Sequence, residues 1–96
     1  MTVFVARLVV KPGMEAQLER LQTELSKLTH EHEPETYVYD VVRHREQSQT
    51  YVVYGRFKDE AAFNFHQTTQ FHERLVPGIV ECLAQPFEIE FFDFVA

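Results

Sequence analysis

From Thr2 to Val10 apolar residues fill both parities of the chain: Val3, Val5 and Val9 on one, Phe4, Ala6, Leu8 and Val10 on the other. Successive side chains of a β-strand point to opposite faces, so this stretch predicts a strand that is apolar on both. Lys11-Pro12-Gly13 reads as a turn. The period then changes. Met14, Leu18, Leu21, Leu25 and Leu28 recur at intervals of four and three, with Glu15, Glu19, Arg20, Glu24 and Lys27 between them. That spacing predicts an amphipathic helix from Met14 to His30, dissolving in the polar run that Pro34 stops. Thr36–His44 and Thr50–Phe57 read as strands joined by the polar turn Arg45–Gln49, and so as a hairpin. Asp59–Val76 returns to helical spacing, with Asp59 as N-cap and Pro77-Gly78 as the end. Its stripe is Ala62, Phe65, Thr69, His72 and Val76, with His66 at the flank. Gly78–Pro86 is a short connection with a helical turn over Ile79–Leu83, and Phe87–Val95 is the last strand.

The order strand, helix, strand, strand, helix, strand predicts an α+β, ferredoxin-like βαββαβ fold. Its four-stranded sheet is antiparallel, with both helices on one face. No repeat, linker or low-complexity segment divides residues 1–96, so one domain is expected. Two helices cover one face of the sheet, yet most strands are apolar on both. A homodimer packed sheet on sheet resolves the conflict.

Charge narrows the partners. Fifteen acids against nine bases leave a formal charge of −6, which argues against nucleic acid or an anionic membrane. No apolar run approaches the ~20 residues of a membrane span, and the N-terminus lacks the pattern of a secretory signal. A single cysteine, Cys82, forms no internal disulfide and points to a reducing, cytoplasmic setting, as a structural thiol. Nine Phe and four Tyr make the chain rich in aromatic side chains.

KPG after the first strand, Glu33-Pro34 followed by Tyr39-Asp40, Arg43 closing that strand, and Y-x-x-Y-x-x-F running into DEAAFNFH are similar to the antibiotic biosynthesis monooxygenase domain. The resemblance covers Val3 to about Phe94 and implies a small dimeric α+β barrel. It implies a cofactor-independent monooxygenase of a small aromatic, phenolic or quinol compound. A non-catalytic dimeric module that binds a small ligand or regulates a partner is the alternative within the same fold. The second-helix pattern H-x-x-[ST]-x-H places its first His at His66 and its hydroxyl at Thr69. The second His falls on Phe71, one residue before His72. Gly55 and Phe57 stand where the family often has Glu and Trp. The haem-degrading branch uses Asn, Trp and His where this chain has Ala6, His66 and Pro77, so haem is not expected.

His66 and His72 are the candidate catalytic residues. An imidazole titrates near neutrality and can take a proton from a phenol. The deprotonated, electron-rich ring then reacts with dioxygen without a cofactor. Thr69, Tyr54 and Tyr39 are candidate donors to the developing oxyanion, and Phe65 and Ala6 complete the candidate substrate contacts. The plainer reading makes His72 a core histidine satisfied by one hydrogen bond. His66, at the flank, is expected to be the less buried of the two, so that His66→Ala removes turnover and spares stability. His30-Glu31-His32-Glu33 has metal-binding residue types but no third fixed ligand. It reads as a solvated helix end, and no metal is expected.

Overall fold

A computed structural model describes all 96 residues. The elements are β1 (Thr2–Val9), α1 (Glu15–His32), β2 (Thr36–Arg43), β3 (Thr50–Phe57), α2 (Glu60–Thr68), α3 (Gln70–Glu81) and β4 (Glu88–Asp93). The strands form one antiparallel sheet in the order β2-β3-β1-β4. This is the expected ferredoxin-like arrangement, with β1 and β3 in the centre.

Period two decides what the sheet shows to the helices. Phe4, Ala6 and Leu8 of β1 pair across from Gly55, Val53 and Tyr51 of β3, and all six are buried on the helix side. Against them pack Leu18 and Leu25 of α1, Ala62 and Phe63 of α2, and Leu75 and Ile79 of α3. Gly55 admits one close contact. A Cβ there would lie 2.3 Å from Phe4 Cε1 and 2.9 Å from Phe57 Cε1. Its absence lets the Phe4 ring lie across the strand and stack on Phe57, with centroids 5.9 Å apart. The other face carries Val5, Val52, Tyr54 and the exposed Val42 and Phe92, as the double-sided apolar pattern foretold.

Three expectations about the helices change. α1 runs on to His32, so the polar run is helical before the turn at Pro34. The single helix over Asp59–Val76 is two helices, broken at Thr69, whose backbone is extended (φ −67°, ψ 149°). Asp59 caps α2 as expected, accepting from Ala62 N at 2.9 Å. The Thr69 hydroxyl accepts from His72 N at 3.3 Å and so caps α3. Pro77 does not end the helix: it lies inside α3, which continues through Gly78 to Glu81. An interior proline costs roughly 3 kcal/mol. Burial of Leu75 and Ile79 on either side of it offsets that cost.

Candidate active site

Between the sheet and α2–α3 lies a cavity of about 140 Å³. Its lining is mostly apolar, with Phe4 and Ala6 from β1, Phe63 from α2 and Ile79 from α3. Phe87 and Ile89, both exposed, stand at its rim. Gln22, Tyr39, His66, Gln67 and His72 are its polar-capable side chains.

The break at Thr69 builds the centre of this site. In one straight helix, His66 and His72 would be about 9 Å apart along the axis and roughly 240° apart around it. With the chain re-aimed at Thr69, their rings meet edge to face at 4.8 Å between centroids. Thr69 holds both ends of the turn, its hydroxyl donating to the His66 carbonyl at 3.1 Å while it caps α3.

His66 is the buried histidine, at 2% exposure, whereas His72 is only partly buried. The expected order is therefore reversed. The reason is the helix break, together with a buried face of α2 that runs Ala62, Phe63, His66 rather than Ala62, Phe65, Thr69. His66 Nδ1 lies 2.9 and 3.0 Å from the two carboxylate oxygens of Glu33, itself 2% exposed. Glu33 also accepts from the Thr36 hydroxyl at 2.8 Å. The imidazole packs against the Tyr39 and Phe57 rings at 5.2 and 5.4 Å.

Tyr39 lines the cavity, and its hydroxyl donates to Gln22 Oε1 at 3.3 Å. Burial first, and the Glu33 charge second, push its phenol well above the ordinary tyrosine value, so it stays protonated. Ala6 lines the cavity. Three candidates do not. Tyr54 sits on the opposite face of the sheet, in a hollow with Val3, Val5 and Phe92. Phe65 is 56% exposed and lines a separate surface cleft with Pro34 and Glu35. Thr69 shapes the turn instead of facing the cavity, its hydroxyl engaged with backbone on both sides.

Two residues escaped the sequence reading. Glu33 belonged to a run that looks solvated, but it is the last residue before Pro34 and turns inward. Gln22 follows Leu18 by four and precedes Leu25 by three, a polar residue on a buried helical stripe. That spacing was the available signal. No group of three or more His, Cys, Asp or Glu side chains gathers as a metal site.

Burial, and then the neighbouring His66, lower the His72 pKa to about 4, against an opposing pull from Glu33. His72 is therefore neutral at pH 7. Its folded value lies below the ordinary 6.5, so between those values the unfolded chain binds more protons than the native one. The resulting stability is complete above about 6.5 and is lost as pH falls toward about 4. Thermal melts across that window should show a smaller acid-side loss in His72→Gln than in the wild type. Equal losses would remove His72 as the cause.

A profile of the antibiotic biosynthesis monooxygenase family matches residues 1–77. No protein of curated function matches the chain. Among solved structures, an antibiotic biosynthesis monooxygenase is 27% identical over 100% of both chains, with a TM-score of 0.92. A protein from Pseudomonas aeruginosa is 26% identical over 99% of this chain and 94% of its own, with a TM-score of 0.86. A conserved protein from Methanosarcina mazei, 24% identical over 95% of this chain and 89% of its own, shares the fold at a TM-score of 0.90. The profile spans β1 through the two cavity histidines and into α3, so the chain belongs to the antibiotic biosynthesis monooxygenase family.

Proposed function

We propose that this protein is a cofactor-independent monooxygenase of a small phenol or quinol, with His66 as its general base. The observation that carries the reading is a histidine held by a buried carboxylate at the wall of an apolar cavity. At about 140 Å³ the cavity is close to the ~150 Å³ of an engineered apolar cavity that admits benzene, so one aromatic ring fits. Larger fused rings would extend past Phe87 and Ile89 at the rim.

His66 takes the phenol proton, and the electron pair stays on the substrate as a phenolate. The carbon para to that oxygen adds dioxygen, and the proton returns to the new peroxide. Breaking the O–O bond with loss of the C–H proton leaves a quinone and one water. The substrate gives four electrons and dioxygen accepts four, so no external reductant is required. Tyr39 spends its hydroxyl on Gln22 Oε1, which leaves the Gln22 amide nitrogen as the donor for the oxyanion. His72, neutral, adds no competing charge.

Oxygen uptake with a panel of one- to three-ring phenols and quinols tests the reading. Stoichiometric dioxygen loss with formation of quinone, without added flavin or metal, is the expected result. Tight binding of the same panel without oxygen uptake would favour the alternative, a ligand-binding or regulatory module. The buried free thiol of Cys82 suits the reducing cytoplasm as the place of action, and no helix is long and apolar enough to cross a membrane.

The same reading includes a homodimer, sheet on sheet, closing the α+β barrel. Val42 and Phe92 are 56% and 47% exposed on the uncovered face. Arg56 lies there with a buried Nε that has no hydrogen-bond partner, its guanidinium 4.5 Å from the Phe94 ring. Light scattering at micromolar concentration should report about twice the 11.3 kDa chain mass. A monomer would remove the sheet-on-sheet assembly.

A further inference from the structure

We propose that Glu33 is the positioning residue that selects which nitrogen of His66 is basic: it holds the proton on Nδ1 and leaves the lone pair on Nε2. What Nε2 does to a substrate rests on the oxygenase reading above. Which nitrogen it is rests on the geometry of the pair and on Glu33 acting as a carboxylate. Both Glu33 oxygens lie within hydrogen-bond distance of Nδ1, at 2.9 and 3.0 Å. An ionised carboxylate only accepts, so Nδ1 must donate. A neutral imidazole carries one N–H, and Nε2 is then the acceptor. Nε2 makes no hydrogen bond within the protein, and the ring lines the inner cavity.

Glu33 is itself held from several sides. Its backbone N–H donates to the Thr29 carbonyl at 2.9 Å, and its carbonyl accepts from Thr36 N at 3.1 Å. The Thr36 hydroxyl donates to its carboxylate at 2.8 Å. These bonds pin the turn between α1 and β2 against the end of α2. The imidazole, packed against the Tyr39 and Phe57 rings, has little freedom to rotate and exchange its nitrogens. Other titratable groups stand around the pair: His72 from α3, Tyr39 from β2, and His32 and Glu35 in the cleft behind Glu33. Lys58, the nearby cation, is taken by Glu35 at 2.9 Å. Glu33 is thus the anion placed to balance the imidazolium that forms when the substrate O–H breaks and its proton moves to Nε2.

Nitrogen-15 NMR of the histidine rings at pH 7 tests this without any substrate. In the wild-type protein His66 should be the Nδ1–H tautomer, with Nε2 unprotonated. In Glu33→Gln the amide NH₂ can donate to Nδ1, and the Nε2–H share should rise tenfold or more, the worth of one charge-assisted hydrogen bond. A wild-type His66 with its proton on Nε2 overturns the proposal, because Glu33 would then be the acid donating to Nδ1. An unchanged tautomer ratio in a folded Glu33→Gln overturns it too. The oxygenase reading stands or falls separately. If the wild type shows Nδ1–H and the Gln variant shifts, the role of Glu33 is supported even when no phenol is turned over. Turnover by a protein whose His66 is protonated on Nε2 sinks the role of Glu33 and spares the oxygenase.

Discussion

His66→Ala should lower the folding free energy by roughly 3–5 kcal/mol, the cost of leaving a buried carboxylate without its main hydrogen-bond donor. Had His66 stood at an exposed flank, the change would be nearly silent. It is 2% exposed, and so is Glu33. Alanine leaves the carboxylate with only the Thr36 hydroxyl, beside the space that the Tyr39 and Phe57 rings enclose. It also removes an imidazole that those rings pack against, which adds a cavity cost of the same sign. For a domain of this size each kcal/mol lowers Tm by about 4–8 °C, so the midpoint should fall by on the order of 15 °C or more. Replacing both partners by leucine removes the buried charge together with its need, and should recover part of the loss relative to His66→Ala. Denaturant melts of the wild type, the single variant and the double variant decide it. A loss below about 1 kcal/mol would mean that Glu33 reaches water, and the cleft of about 220 Å³ on its far side is where that would happen.

The sheet and α1 were legible because their periods are local. Val3 to Val10 is a short apolar run rich in valine, broken only by Arg7, and the leucines of α1 recur at four and three, so neither needs tertiary information. The same rule misled in the second half of the chain. Ala62, Phe65, Thr69, His72 and Val76 keep helical spacing across a break, because α2 and α3 are each helical and only Thr69 is not. A threonine three residues before the N–H it caps is the one local sign of that break. Once the stripe is drawn through it, Phe65 goes inside and His66 to the flank, the reverse of what folding does. Pro77 misled for the opposite reason: tertiary packing of Leu75 and Ile79 outweighs a local prohibition. Glu33 was hidden most deeply. In the run His30-Glu31-His32-Glu33 only the last side chain turns inward, and its partner lies 33 residues further along the chain. No spacing rule links positions that far apart. Tyr54 failed on parity: its strand neighbours Val53 and Gly55 face the helices, and it does not.

His66→Asn should cost ~10²–10⁴-fold in turnover of an active phenol, the usual loss when a general base is removed, while keeping most of the stability that His66→Ala forfeits. Asparagine places an amide N–H near the position of Nδ1, so the carboxylate of Glu33 keeps a donor where the imidazole supplied one. The side chain ends there, and nothing replaces Nε2. The substitution therefore separates the two jobs of the histidine, partner to a buried carboxylate and acceptor of the substrate proton. A drop in kcat with little change in KM locates the loss in the chemical step, because the apolar walls that bind the ring are untouched. His72→Gln should leave the rate within about tenfold, since His72 is neutral and lies at the edge of the His66 ring. Full activity in His66→Asn together with loss in His72→Gln would transfer the base to His72, the other imidazole that lines the cavity. Full activity in both would mean that the cavity works by orienting a phenol that ionises without help, and His66 would be no base at all.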